Sequence, residues 1–348
     1  RQMGARIVLA SHLGRPKGKK NPAFSMLPVG EKLAEILNEE IILADDCIGD
    51  GVGKLITDLR PSKMLLLENL RFYAEEENND ENFAKALAKK SDFYINDAFG
   101  SSHRSHASIV GIPKFVNASA FGYLMHKEIF HINKLLKEAK PPFVAVVGGA
   151  KVSDKITVLK NLLPLVNDII IGGAMAYTFL QSAEYKVGKS KVETDQTALC
   201  RQTLLSAKNQ KVNIHLPIDH RVAELFEENA TSRIIDAINI PDNAFGLDIG
   251  PKTITHYSSI IDNANTIFWN GPMGRFEWEQ YSEGTKQIAL AIAKNSGYSV
   301  VGGGDSVYAL SKFGLSDKVS FVSTGGGASL EYIENGGTLP GIEAVIKT

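Results

Sequence analysis

The chain has two cysteines in 348 residues, Cys47 and Cys200, far apart and in no metal-ligand spacing. That scarcity excludes a disulfide framework and fits a reducing compartment. Net charge is also nearly absent: 38 Lys and Arg stand against 39 Asp and Glu, a formal charge of −1. No global basic field exists to hold nucleic acid, so anion binding must come from local clusters. No apolar run approaches the ~18 residues of a membrane-spanning helix. Short-period repeats and low-complexity tracts are missing as well. What remains, 44% hydrophobic and 22% charged, is a globular composition with room for two cores. The chain opens at Arg1, with no initiator Met and no signal peptide, within a few residues of a strand. That start leads us to expect missing upstream sequence, whose targeting signals stay open.

Short apolar runs alternate with amphipathic stretches. Strands are expected near 7–10, 41–43, 64–67, 93–95, 144–147, 169–171, 213–216, 266–269, 299–301 and 321–323. Helices are expected at 29–37, 51–59, 81–88, 158–163, 193–208, 284–293 and 307–313. The alternation predicts an α/β protein with parallel sheets, and so many strands fit two doubly wound domains better than one open sheet. The stretch 124–139 reads as a helix with Ile129, Ile132, Leu135 and Leu136 on one face, stopped by Pro141 and Pro142. It is the expected connector. The domains are placed at 1–124 and 143–335, with the connecting helix and hinge at 125–142 and a short docking tail at 336–348.

Phe143 to Val147 form a short buried strand, Gly148 and Gly149 turn the chain, and Ser153 and Asp154 are good caps for the helix that follows. Such a turn aims backbone N–H groups and a helix dipole at one spot, which suits an anion. Lys151 and Lys155 add two cations beside it. The spacing matches neither a Walker loop nor the G-x-G-x-x-G dinucleotide fingerprint, and an ordinary βα turn with two surface lysines reads the same residues equally well.

Ligands of open α/β sheets sit beyond the carboxyl ends of the strands. In the first half those ends carry Ser11-His12-Leu13-Gly14-Arg15-Pro16, then Glu68-Asn69-Leu70-Arg71-Phe72, then Asn96-Asp97-Ala98-Phe99-Gly100 followed by His103-Arg104-Ser105-His106. Arg15, Arg71 and Arg104 converging on one crevice make a phosphate or carboxylate site. The plainer readings are an ion pair of Arg71 with Glu75, a solvated lysine run at 17–20, and histidines that cap a helix. The His103–His106 pair invites a metal, but no carboxylate or cysteine completes a shell. In the second half the strand ends are glycine-rich: Gly172-Gly173, Asn270-Gly271-Pro272, Gly302-Gly303-Gly304-Asp305-Ser306 and Thr324-Gly325-Gly326-Gly327. Glycine lets backbone approach a ligand closely. Several such turns on one edge build a nucleotide cleft, with Asp305 the natural Mg²⁺ carboxylate. The plainer reading is a set of tight turns with Asp305 as a cap.

Taken in order, these motifs resemble phosphoglycerate kinase, together with Gly148-Gly149-Ala150-Lys151-Val152, Trp269-Asn270-Gly271-Pro272, Phe276-Glu277-Trp278 and the run 323–331. The resemblance implies two Rossmann-like doubly wound parallel-sheet domains joined by a hinge helix, with the C-terminal tail returning to the first domain. It implies reversible phosphoryl transfer between 1,3-bisphosphoglycerate and ADP, giving 3-phosphoglycerate and ATP, with Mg²⁺, in a cytoplasmic, monomeric glycolytic enzyme without nucleic-acid or membrane partners. Carried over by motif, His12, Arg15, Arg71 and Arg104 hold the phosphoglycerate. Lys151 stabilises the phosphoryl group in flight, with Gly303 and Gly326 beside it. Gly149, Ala150, Lys155, Asn270, Gly302, Gly303, Gly304, Asp305, Ser306, Gly325 and Gly326 meet the nucleotide phosphates and metal, and Asp305 ligates Mg²⁺. Gly172, Gly173, Gly246, Leu247 and Glu277 line the adenosine site. Ser306 stands where many members have Thr and keeps the hydroxyl.

The family's first strand, with an Asp and an Asn for substrate and a following helix with an arginine, would lie upstream of Arg1, roughly 40–50 residues. A chain truly beginning at Arg1 is therefore also readable as a catalytically weak nucleotide-binding module. An NAD-linked dehydrogenase, suggested by fold class alone, lacks its glycine fingerprint.

Overall fold

The computed structural model describes residues 2–347. Arg1 and Thr348, the outermost residues of the expected first domain and tail, lie outside the described residues. The chain divides into two compact units: 1–126 together with 339–348, and 127–338.

Among the described residues the first unit carries five strands, β1 (Ile7–Leu9), β2 (Ile41–Leu43), β3 (Met64–Leu66), β4 (Phe93–Asn96) and β5 (Ala118–Phe121). They form two parallel sheets, β1-β3-β2 and β4-β5. Strand β5 was not expected, because Ala118, Ser119 and Ala120 lack the bulky apolar signal of a buried strand. The final helix, Pro340–Ile346, packs within this unit: Gly341 N–H donates to the Ser102 carbonyl at 2.8 Å, and Ile342 and Val345 are buried.

The second unit is built on β6 (Phe143–Val147), β7 (Asp168–Ile171), β8 (Asn213–His215), β9 (His220–Ala223), β10 (Ser232–Ile235), β11 (Phe245–Ile249), β12 (Thr266–Asn270), β13 (Tyr298–Val301) and β14 (Phe321–Val322). Six of them form a parallel sheet in the order β14-β13-β12-β6-β7-β8. All five residues of β6 and of β12 are buried, as expected for central parallel strands covered on both faces. Val144, Val146, Ile267 and Trp269 pack with Tyr257, Ile288 and Ile292 from flanking helices. The chain leaves β6 toward β7 and β8, then returns to β12 on β6's other side. The order therefore reverses between β6 and β12, and the crevice at their carboxyl ends is the place where such sheets bind ligands.

The remaining strands correct the expectation of parallel sheets alone. β10-β9-β11 is an antiparallel sheet with a bulge between Gly246 and Asp248. Its strands carry His220, Arg221, Arg233 and Asp248 among the apolar residues, so no continuous hydrophobic run announces them. Two helix starts also differ. The stretch read as a helix from 193 begins with a 3-10 turn at Thr194–Gln196, and the α-helix proper is Thr197–Asn209. The helix after β6 is Ile156–Leu162, its N-cap is Lys155, and no side chain caps it. Ser153 and Asp154 are therefore not its caps.

Candidate active site

In the second unit, the turns after β6, β7, β12 and β13 are welded together by backbone. Gly148 N–H donates to Asn270 O at 2.9 Å, Gly149 N–H to Pro272 O at 3.1 Å and Gly173 N–H to Met273 O at 2.9 Å. These contacts demand glycine. A Cβ on Gly173, at φ +67°, would lie 2.5 Å from Gly149 N, and one on Gly271, at φ +103°, 2.1 Å from Gly148 O. Asn270, fully buried, donates from Nδ2 to Gly302 O at 2.8 Å. Lys155 Nζ donates to Asn270 O at 3.0 Å and to Asn270 Oδ1. Ser306 Oγ is buried and accepts the Gly271 N–H at 2.5 Å, so this hydroxyl joins two turns.

Gly149, Ala150, Lys155, Asn270, Gly302, Gly303, Gly304, Asp305 and Ser306 are thus carried on neighbouring turns of one sheet edge. Two helices start at that edge, Gly304–Lys312 and Gly327–Glu334. A Cβ at Gly304, Gly326 or Gly327 would meet nothing within 4 Å. Their first turns open into free space, as an anion site requires. Asp305 is exposed in the first of these turns, and burial lowers the Lys155 ammonium to about 8 while Asp305 and Asp154 oppose the shift. Among the described residues no group of three or more His, Cys, Asp or Glu is placed to hold a metal ion. A single exposed carboxylate beside an anion site suits Mg²⁺, which keeps waters and shares phosphate oxygens.

Gly246 and Leu247 sit on β11, both buried. A Cβ on Gly246 would strike the Tyr177 ring at 2.4 Å, and Arg275 N–H donates to Leu247 O at 2.8 Å, which joins the loop carrying exposed Glu277 to this strand. Next to Leu247, the buried Asp248 accepts from Gly284 N–H at 2.8 Å and from Ile249 N–H at 2.9 Å. Burial raises its carboxyl to about 8 against those bonds. Lys151 stands apart: it is exposed, and no hydrogen bond or ion pair anchors its ammonium among the described residues.

In the first unit the three strand-end motifs converge. Arg71, buried, donates from Nη1 to Gly14 O at 2.9 Å, and its Nε lies 3.6 Å from Glu77 Oε1. The acidic neighbour of this arginine is therefore Glu77, not Glu75, because the short helix Ala74–Glu77 turns Glu77 back toward it. Burial first, and then the neighbouring Arg71, His106 and Arg104, lower His12 to about 4, since nearby positive charge disfavours another. Burial also lowers Arg71, and Arg104 and Arg15 add to the effect. His12, Arg15, Arg71 and Arg104 are thus near enough to act on one another, and His106 joins them.

Several residues that organise these loops escaped the sequence reading. Glu68 accepts from Met26 N–H, Asn69 N–H and Ser25 Oγ, each at 2.7 Å, and Asn69 Nδ2 donates to Leu13 O and Phe24 O, both at 2.8 Å. The Glu-Asn-Leu-Arg-Phe motif is therefore loop scaffold as well as arginine. In the second unit Glu128, fully buried on the helix Tyr123–Lys137, accepts from Ser323 Oγ and Thr324 N–H, both at 2.7 Å. It fixes the turn before Gly325 and Gly326. No local sequence signal marks Glu128, since its partners lie 195 and 196 positions away.

The family profile for phosphoglycerate kinase matches residues 1–336. The phosphoglycerate kinase of Borreliella burgdorferi is 49% identical over 345 residues, 99% of this chain and 87% of that protein. That of Anaeromyxobacter dehalogenans is 51% identical over 345 residues, with the same coverage. Among solved structures, phosphoglycerate kinase from Coxiella burnetii superposes with TM-score 0.90 at 38% identity, covering 99% of this chain and 87% of that one. The enzyme from Pyrococcus horikoshii gives TM-score 0.85 at 30% identity, covering 99% and 87%. With a profile match over nearly the whole chain and relatives about half identical along it, this chain belongs to the phosphoglycerate kinase family.

Proposed function

We propose that the chain catalyses reversible phosphoryl transfer from the acyl phosphate of 1,3-bisphosphoglycerate to ADP, with a carboxyl group as the acceptor in the reverse direction. One observation carries this reading: glycine turns, two open helix starts, Lys155 and Asp305 share the switch point of a parallel sheet in a chain related to kinases of that name. Phosphoryl transfer needs alignment and charge neutralisation rather than a covalent intermediate. His12, Arg15, Arg71 and Arg104 bind the phosphoglycerate, and the neutral His12 serves as a hydrogen-bonding group among cations. Gly172, Gly173, Gly246, Leu247 and Glu277 seat the adenosine. The turns at 302–306 and 325–326 offer N–H groups to the phosphates, Lys155 holds a phosphate, and Lys151 neutralises the transferring group beside Gly303 and Gly326. Asp305 would hold Mg²⁺, which supplies charge neutralisation on the phosphates when bound. The reading includes a monomeric state and a cytoplasmic location. ATP formation from 1,3-bisphosphoglycerate and ADP, followed in a coupled assay, tests it. Nucleotide binding without turnover would overturn the catalytic reading and leave a binding module.

Lys155 gives a pH signature. Its ammonium is charged below about 8 and loses its proton above that value. ADP affinity measured by calorimetry is expected to stay level up to about pH 8 and to weaken above it. Lys155→Gln should abolish this dependence. A wild-type affinity that stays level through pH 8 and beyond would remove Lys155 from the phosphate site.

A further inference from the structure

The turn that carries Lys151 gives its Val152 carbonyl to the following helix, where Ile156 N–H donates to it at 2.9 Å, and leaves its amides to another partner. Its two next amides, Val152 N–H and Ser153 N–H, both donate to one carboxylate oxygen, Glu193 Oε2, at 2.5 and 3.1 Å. Ser153 Oγ donates to the other oxygen, Oε1, at 2.7 Å. Glu193 is itself tied down: its N–H donates to Thr178 Oγ1 at 3.2 Å, and Thr178 is buried on the helix Met175–Ser182 that follows Gly172 and Gly173. One carboxylate therefore takes both oxygens' worth of bonds from the two residues after Lys151 and connects them to the neighbouring turn.

We propose that Glu193 is a positioning residue for Lys151, its carboxylate fixing the backbone from which the exposed ammonium reaches the transferring phosphoryl group. The inference rests on the phosphoryl-transfer reading and adds a residue to it. A lysine with four rotatable bonds and no anchored ammonium can be precise only if its Cα is held. Val152, fully buried, fixes one side of that Cα, and the clamp fixes the polar side. The clamp also settles which amides are left for substrate. A carboxylate already occupies the N–H groups of Val152 and Ser153, so they do not bind a substrate phosphate while the clamp is closed. Near this turn, charge neutralisation falls to the ammonium groups. Burial works against Glu193's charge, but the Ser153 hydroxyl, the Ser153 amide and the Val152 amide outweigh it and hold the carboxyl below its ordinary 4.5. The clamp is therefore closed above the ordinary carboxyl value and opens only as pH falls through the lower one.

The test uses the full chain with Glu193→Ala and Glu193→Gln, steady-state kinetics, and amide hydrogen exchange. In Glu193→Ala, kcat is expected to fall about 10–100-fold, the loss that a displacement on the order of 1 Å brings, with KM for ADP changed by less than about threefold. Glu193→Gln, whose amide oxygen still accepts a bond, should fall between this variant and wild type. The Val152 and Ser153 amides should exchange faster in Glu193→Ala, while those of the neighbouring β6 strand stay protected. An unchanged kcat, a loss expressed wholly in KM, or unchanged exchange at Val152 and Ser153 would each overturn the inference. Wild-type chain that makes no ATP would overturn the functional reading instead. Exchange needs no turnover, so it reports on the clamp in either case.

Discussion

Lys151→Ala is expected to lower kcat about 10²–10³-fold while leaving ADP affinity within about twofold of wild type. The split follows from where the two lysines sit. Lys155 is mostly buried and bonded to Asn270, beside the turn that contains Gly271. On the proposed reading it is part of a preformed nucleotide platform. Lys151 is exposed and anchored to nothing among the described residues, so the free protein gives it no ground-state partner to lose. A cation that meets charge only as it develops acts on the transition state and barely on binding. Losing one such preorganised group costs roughly 2.7–4 kcal/mol, which is the expected fold-change. Lys151→Arg should not restore full turnover, because a planar fork does not substitute for a compact ammonium at a point of converging charge. Steady-state kinetics with calorimetric ADP titration checks this. Near-normal turnover in Lys151→Ala would remove Lys151 from the reaction centre.

The second large effect is on stability. Gly271→Ala should destabilise the second unit by about 4 kcal/mol. Gly271 has φ +103°, and a Cβ there would lie 2.1 Å from Gly148 O, 2.4 Å from Gly148 C and 2.7 Å from Lys155 Nζ. The conformation costs about 1–3 kcal/mol for a residue with a side chain, and forcing an atom into packed backbone costs typically 1–3 more. The carbonyl cannot move freely, because Gly148 N–H is bonded to Asn270 O in the same weld. Against a total stability of about 5–15 kcal/mol, this loss is large. Both tryptophans, Trp269 and Trp278, lie in the second unit, so their fluorescence in a urea titration reports on it alone. Gly304→Ala is the control: its Cβ would meet nothing within 4 Å, so its midpoint should stay close to wild type. A Gly271→Ala midpoint equal to wild type would show that the turn has room the geometry denies.

Much of this protein was legible in one dimension. Phe143 to Val147 is a continuous apolar run because a central parallel strand is buried on both faces. The glycines after β7 and β12 announce backbone packed too closely for a Cβ. The second of these inferences had a limit. The turn after β6 and its helix looked like an anion cradle with Ser153 and Asp154 as caps, and the structure gives the Val152 and Ser153 amides to Glu193 instead. The antiparallel strands β9 to β11 were missed because His220, Arg221 and Asp248 interrupt their apolar pattern, although Asp248 is buried and bonded to Gly284. Arg71's neighbour is Glu77 and not Glu75, a choice that depends on how one short helix turns.

The sequence by itself determined the strands of the large parallel sheet, the glycine turns and the set of cations, since each is a local matter of hydrophobic period, backbone sterics and residue type. Tertiary structure alone decided which charges meet. Glu193 reaches back 41 positions to Val152, Glu128 reaches Ser323 across 195, and His106 comes to lie beside His12 and Arg71. A carboxylate is specified by the donors that fold around it, and no periodicity in its own neighbourhood records them.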